Sequence, residues 1–294
     1  MRRAKAAVTA CILGAIAPGA VAQLDQLDPF AAEESEPHTR MSLVADHASV
    51  APGQTFALGV SFEIDEGWHM YWNGKNDTGF PPRFEITGPP GFEIGKGEWP
   101  APHRMVSAGD ILDHVYEGRL TIVVPVKAPE SLEDGSQVEF HVKADWLVCE
   151  AVCIPEEGEA TLTVHTGEAV KSDAKTLKLF EEARKRIPKP APASVWKPLM
   201  ADTPFSVQVS EGGPATVQIS SRGVRGIRFF PSADCPTITN LIEAGDVKGG
   251  RTALRFDRHE DAAAIRGVVE IVGEEGSAFY TLSRRGGEAQ TADE

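Results

Sequence analysis

The chain has 294 residues, with 43 acidic against 29 basic, a formal net charge of −14 and 41% hydrophobic residues. That length suits two domains on a scale of roughly 100–200 residues each. The charge argues against nucleic acid or anionic lipid as a partner and leaves a basic protein partner open.

The opening MRRAKAAVTACILGAIAPGAVAQ places Arg2, Arg3 and Lys5 before an apolar run, then Ala20-Val21-Ala22 before Gln23. This is the pattern of a secretory signal peptide over 1–22 with an A-x-A cleavage site. Cys11 lies inside it and would leave with it. No other stretch is apolar enough to cross a bilayer. The exported chain is therefore expected in the periplasm, where disulfides persist, without stable membrane insertion. Residues 23–40 are acidic and aperiodic and read as a flexible leader.

From 41 to 166, short alternating runs are cut by Gly, Pro and Asp. TFALGVSFEI (55–64), RLTIVVPVKA (119–128), QVEFHVKADWLV (137–148) and EATLTVHT (159–166) read as strands. Val138, Phe140 and Val142 fall on one face, and Glu139, His141 and Lys143 on the other. Between 167 and 187 the period changes. Leu177, Phe180, Ala183 and Ile187 are three or four residues apart, the stripe of one helix. PKPAPAS (188–194) stops the helix as a stiff linker. A second β-rich block covers 195–285, and 286–294 read as a disordered tail. The fold class is all-β: two β-sandwich domains in tandem, joined by a short helix and a Pro-rich linker.

Cys149 and Cys153 lie in ADWLVCEAVCIPEEG. An extended strand would hold them roughly 13 Å apart, whereas a disulfide needs about 4.4–6.8 Å between Cα atoms. A bridge requires the chain to bend between them, and a strained bridge is easier to reduce. As a staple, a five-residue loop contributes only about 2 kcal/mol in the chain-entropy model. Redox pair, structural clip and metal ligands all stay open on spacing. Glu150, Glu156 and Glu157 disfavour a strongly acidic thiol. The pair suits a disulfide attacked by a partner's thiolate. Cu(I) held by both cysteines with Met70, Met105, His69 or His103 is an alternative, though C-x3-C with scattered His and Met is no known zinc or copper spacing. Cys235 reads as a partly buried free thiol. No phosphate loop, dinucleotide fingerprint, G-x-S-x-G or metalloprotease motif is present.

GWHMYWNGKNDTGFPPRFEI (67–86) crowds Trp68, Tyr71, Trp72 and Phe80 beside Gly and Pro. Together with GEWPAPHR (97–104), VYEGRLTIVVPV (115–126) and the cysteine segment, it resembles the N-terminal periplasmic domain of the DsbD thiol:disulfide interchange family. It resembles more closely the variant of that domain in ScsB-type (suppressor of copper sensitivity) reductases. The resemblance implies immunoglobulin-like sandwiches and a cysteine pair that passes electrons from a membrane thiol reductase to periplasmic thioredoxin-like proteins. Whether such a relay counts as an enzyme of the protein-disulfide reductase type is left open. It implies that Cys153 forms the mixed disulfide and Cys149 resolves it. No cofactor and no metal are expected. The resemblance also implies a cap loop, expected at Asp110–Glu117 with Tyr116 as a lid residue and Tyr71 and Trp72 lining the site. The cysteine spacing is tighter than in DsbD. Family members continue into membrane and thioredoxin domains that these 294 residues lack, so the electron donor is expected to be a separate chain. The alternative function is a copper-binding or scaffolding module of a copper-tolerance system, its cysteines serving as ligands or a clip.

Overall fold

Alternating side chains set the strands, and the faces they bury set how the sheets stack. The computed structural model describes residues 36–211 and 213–283. The expected signal peptide at 1–22, most of the expected leader and the expected tail at 286–294 lie outside the described residues. The leader's last two residues, Thr39 and Arg40, already belong to a strand.

The first sandwich contains β1 (Thr39–Ala45), β2 (His47–Val50), β3 (Thr55–Ile64), β4 (His69–Tyr71), β5 (Arg83–Thr87), β6 (Glu93–Ile94), β7 (His103–Ser107), β8 (Ile111–Glu117), β9 (Arg119–Lys127), β10 (Gln137–Cys149), β11 (Cys153–Thr166) and β12 (Val170–Lys171). One sheet runs β1-β3-β9-β6. The other runs β12-β2-β11-β10-β4-β8-β7, with β5 also paired to β10. Phe62, Phe140, Trp146 and Val148 fill the space between them. Phe62 meets Trp146 edge-on, with ring centroids 5.1 Å apart.

The helix α1 (Ala174–Arg186) follows. Asp173 caps it by accepting a bond from the Thr176 amide at 3.0 Å. Arg184, Lys185 and Arg186 in its last turn complement the helix dipole. Phe180 and Ala183 pack on Ala57 and Val123, on the outer face of β3 and β9. That cover explains why β3 is buried on both faces rather than on one. Burying the Phe180 ring contributes about 2–3 kcal/mol.

The Pro-rich stretch is not a free spacer. β13 (Lys189–Pro190) pairs in parallel with the last strand, and a 3-10 turn covers Ala193–Trp196. The rest of the second sandwich is β14 (Ser206–Val209), β15 (Thr216–Ser220), β16 (Gly226–Pro231), α2 (Leu241–Ala244), β17 (Asp246–Lys248), β18 (Arg251–Arg255), α3 (His259–Ala263), β19 (Arg266–Val272) and β20 (Ser277–Ser283). Its sheets run β13-β20-β19-β16-β17 and β14-β15-β18. Val207, Ile219, Phe229, Leu254 and Val269 form its core, with Cys235 buried among them as a free thiol. Phe230, Val268 and Phe279 leave that core and join the first. The chain is thus all-β, with two immunoglobulin-like sandwiches in tandem that meet along an apolar seam.

Candidate functional site

β10 and β11 form one long hairpin whose register ends at Cys149↔Cys153, leaving Glu150, Ala151 and Val152 as the connection. The bend that a short-range bridge requires is this hairpin turn. The two cysteines are directly opposite, their Cα atoms 4.2 Å apart, and are joined as a disulfide. Opposite residues of an antiparallel pair share a face, so no detour of the chain is needed. Cys149 is only 2% exposed, whereas Cys153 is exposed. One cysteine is built into the sheet and the other stands exposed at its end.

On its other side Cys149 pairs with His69 of β4, and His69 pairs with Glu117 of β8. Two residues further along the same face lie Tyr71, Val115 and Leu147. Tyr71, Val115 and Cys149 form one apolar cluster, with Met105 and Leu147 packed against it. Among the described residues, His69 is the histidine that strand pairing brings beside the pair. Burial lowers its pKa, against the opposing fields of Asp113 and Glu117. It is therefore neutral at pH 7 and supplies no cation to stabilise a thiolate.

The Tyr71 hydroxyl lies 3.5 Å from Cys153 Sγ and 3.2 Å from Thr78 Oγ1. Thr78 in turn donates to Asp113 Oδ2 at 2.6 Å. Burial raises the Tyr71 pKa, the Thr78 bond opposes this, and Asp113 adds to the rise. Tyr71 is therefore a proton donor, and a disulfide sulfur can only accept. In the oxidised state its single proton serves both Thr78 and the sulfur. A reduced Cys153 thiol would bring its own proton, and a thiolate would draw the hydroxyl to itself.

The segment that touches Tyr71 is the loop 72–82. The Asp77 and Thr78 amides donate to Asp113 Oδ1 at 2.8 and 3.0 Å. A side chain at Gly79 would stand 2.0 Å from the Tyr71 ring, so the backbone lies flat on it. Phe80 follows, 70% exposed. With Pro81, Trp146, Leu147 and Pro155 it lines a groove of about 800 Å³, rimmed by Asp145, Glu156, Glu157 and Arg83. Arg83 is matched to Asp145 at 2.8 Å, and Glu156 accepts from Trp146 Nε1 and the His38 amide at 3.0 and 2.6 Å. The rim stays net negative. Val152, in the hairpin turn, is 67% exposed.

Of the residues expected at the site, Tyr71 is there. Trp72 and Tyr116 are not, because strand alternation turns them to the opposite face. Both sit in the first core, and the Tyr116 hydroxyl donates to the Pro100 carbonyl at 2.6 Å. Asp110–Glu117 is not a cap: most of it is strand β8, paired on both sides. The loop beside the pair is 72–82 instead. Among the candidate copper ligands, Met70 points into the core, whereas Met105 packs on the cysteine cluster. Thr78 and Asp113 also belong to the site, though nothing in the composition singles them out. A turn-forming NGKNDTG directly after an aromatic strand was the available signal.

Residues 40–165 match the family profile described as thiol:disulfide interchange protein DsbD, N-terminal. The N-terminal periplasmic domain of ScsB from Proteus mirabilis superposes with TM-score 0.53 at 14% identity, over 84% of this chain and 93% of that one. At such identity the likeness speaks for the fold alone. The periplasmic chaperone SfaE (TM-score 0.22, 9% identity, 82% of this chain and 98% of that one) carries no argument. The same holds for the E. coli chaperone DraB (0.23, 9%, 83% and 96%). A comparison with curated proteins gives no match. Residues 40–165 thus match the DsbD N-terminal family, and the chain shares the fold of the ScsB N-terminal region.

Proposed function

We propose that the chain is a periplasmic thiol:disulfide relay with Cys149 and Cys153 as its redox centre. One observation carries the reading: of the two bridged cysteines, Cys153 is exposed and Cys149 is buried. A bridge of this kind has a defined point of attack and a protected leaving group.

The exchange then runs as follows. A partner thiolate approaches along the groove and attacks Cys153 Sγ. A new sulfur–sulfur bond forms between partner and Cys153, the Cys149–Cys153 bond breaks, and Cys149 leaves as a thiolate that takes up a proton. The partner's second thiolate attacks its own sulfur in the mixed disulfide and releases Cys153. Tyr71 donates to the sulfur that departs. The partner ends as a disulfide and the chain as a dithiol, with two electrons moved. Run in reverse, the dithiol reduces a downstream disulfide. The partners proposed are a membrane thiol reductase as donor and thioredoxin-like proteins as acceptors. The groove's apolar floor and acidic rim favour partners with an apolar, basic surface around the reactive cysteine. Periplasmic location is supported by the signal-like N-terminus, by the disulfide and by the periplasmic origin of the ScsB domain. No described helix is long and apolar enough to cross a membrane. The domain limits proposed are 41–166 for the redox sandwich and 195–285 for the second.

Trapping tests this. In a Cys149→Ala chain the resolving sulfur is gone, so a mixed disulfide through Cys153 should accumulate in cells. A Cys153→Ala chain should trap far less, because Cys149 is buried. Equal trapping by both, or none by either, would remove the assignment.

A further inference from the structure

We infer that the second sandwich is the support that holds the 73–81 loop in the shape a partner docks against. The inference rests on the thiol-exchange reading above and assigns the second sandwich a part in it. Gly74 bridges Ser232 in antiparallel fashion, and the Lys75 amide donates to the Pro231 carbonyl at 2.9 Å. The loop's root is therefore paired to the end of β16. A side chain at Gly74 would stand 1.9 Å from the Trp72 ring and 2.6 Å from the Pro231 oxygen, so the approach depends on glycine.

Three rings lock the joint. Phe230 meets Trp72 at 6.3 Å and His114 at 5.6 Å, and Trp72 meets His114 at 5.9 Å. The Lys75 carbonyl can only accept, so His114 Nδ1, 2.6 Å away, carries the proton. His114 Nε2 is then a buried lone pair with no partner. From this root the chain runs through Asn76, which accepts from the His114 amide at 2.8 Å. It continues to Asp77 and Thr78 on Asp113, Gly79 on Tyr71, and Phe80 in the groove. Each step is a bond or ring contact, so the joint with β16 sets where Phe80 and Thr78 stand. A loop fixed before a partner arrives need not be ordered by docking, which favours affinity.

Gly74→Ala and Phe230→Leu strike this joint. Arg186→Ala strikes another part of the seam, where the guanidinium lies 5.1 Å from the Phe279 ring. The full-length oxidised proteins are reduced by dithiothreitol and, separately, by a range of reduced thioredoxin concentrations. For the two joint variants the thioredoxin KM should rise about tenfold, equivalent to ~1.4 kcal/mol, with the maximal rate and the dithiothreitol rate kept. Amide exchange at Asp77 and Thr78 should quicken, whereas Arg186→Ala should leave both readouts unchanged. An unchanged KM and unchanged exchange in both joint variants overturns the inference. So does an equal response in Arg186→Ala, or a dithiothreitol rate that moves in step with KM. If wild type does not react with thioredoxin at all, the relay reading falls. Amide exchange still decides whether the joint holds the loop.

Discussion

Replacing Tyr71 with Phe removes one oxygen from the site and leaves the ring in place. The hydroxyl it removes lies 3.5 Å from Cys153 Sγ. A hydrogen bond to a charged group contributes about 1.5–3 kcal/mol, and the length here points to the lower end. At 1.36 kcal/mol per unit, losing it raises the pKa of a reduced Cys153 by about one unit. The thiolate, which is the reactive form, is then scarcer by about tenfold near neutral pH. Stability should fall by only about 1 kcal/mol for the lost Thr78 bond, or ~2–4 °C in Tm for a chain of this size. The assay is the pH dependence of iodoacetamide alkylation in a Cys149→Ala background, where Cys153 alone reports. Its midpoint should move to higher pH by that amount in Tyr71→Phe. A midpoint that stays in place, or moves lower, would refute a donor role for Tyr71.

Two further outcomes follow from the packing. Burial pushes the His114 pKa down to about 4, with Arg104 adding to the fall while the Lys75 carbonyl, Asp113 and Asp77 oppose it. The unfolded chain therefore binds this proton near pH 6.5 and the folded chain does not. Stability from this group is full above that pH and is lost as pH drops towards 4, by about 3 kcal/mol. Denaturant titrations from pH 7 to 4 should show this loss, and His114→Phe should flatten it; an unflattened profile would place the acid sensitivity elsewhere. Phe180→Ala empties the site between α1 and the outer face of β3 and β9, so it should cost about 3–5 kcal/mol. The alkylation rate of reduced Cys153 should stay the same, since Phe180 contacts no part of the redox cluster; a changed rate would contradict that separation.

The long strands β3, β9, β10 and the end of β11 were legible from alternation or runs of β-branched residues, whereas β8, read as a cap loop, was not, because its burial is nearly continuous. α1 was legible from the spacing of Phe180 and Ala183. The site was legible only in part. Tyr71 ends β4 and Trp72 directly follows it, so alternation allows only one of them to face the cysteines, and the register of β4 against Cys149 decides which. Tyr116 pairs with Met70 and so falls on the core face. Neither fact can be read without knowing which strands pair. The short elements β6, β12 and β13 were missed because two residues carry no period. The contact between the 73–81 loop and β16 joins residues more than 150 positions apart, and nothing local in NGKN announces it.

As a redox centre, the Cys149–Cys153 bond must open and close reversibly rather than hold the hairpin together. Equilibrating the folded chain in glutathione buffers of graded potential, then trapping the thiols by alkylation, measures this directly. The pair should titrate as a two-electron couple with a potential above about −300 mV, the range of exchangeable disulfides. A pair that stays oxidised throughout, or that reduces only as the protein unfolds, would make it a structural clip.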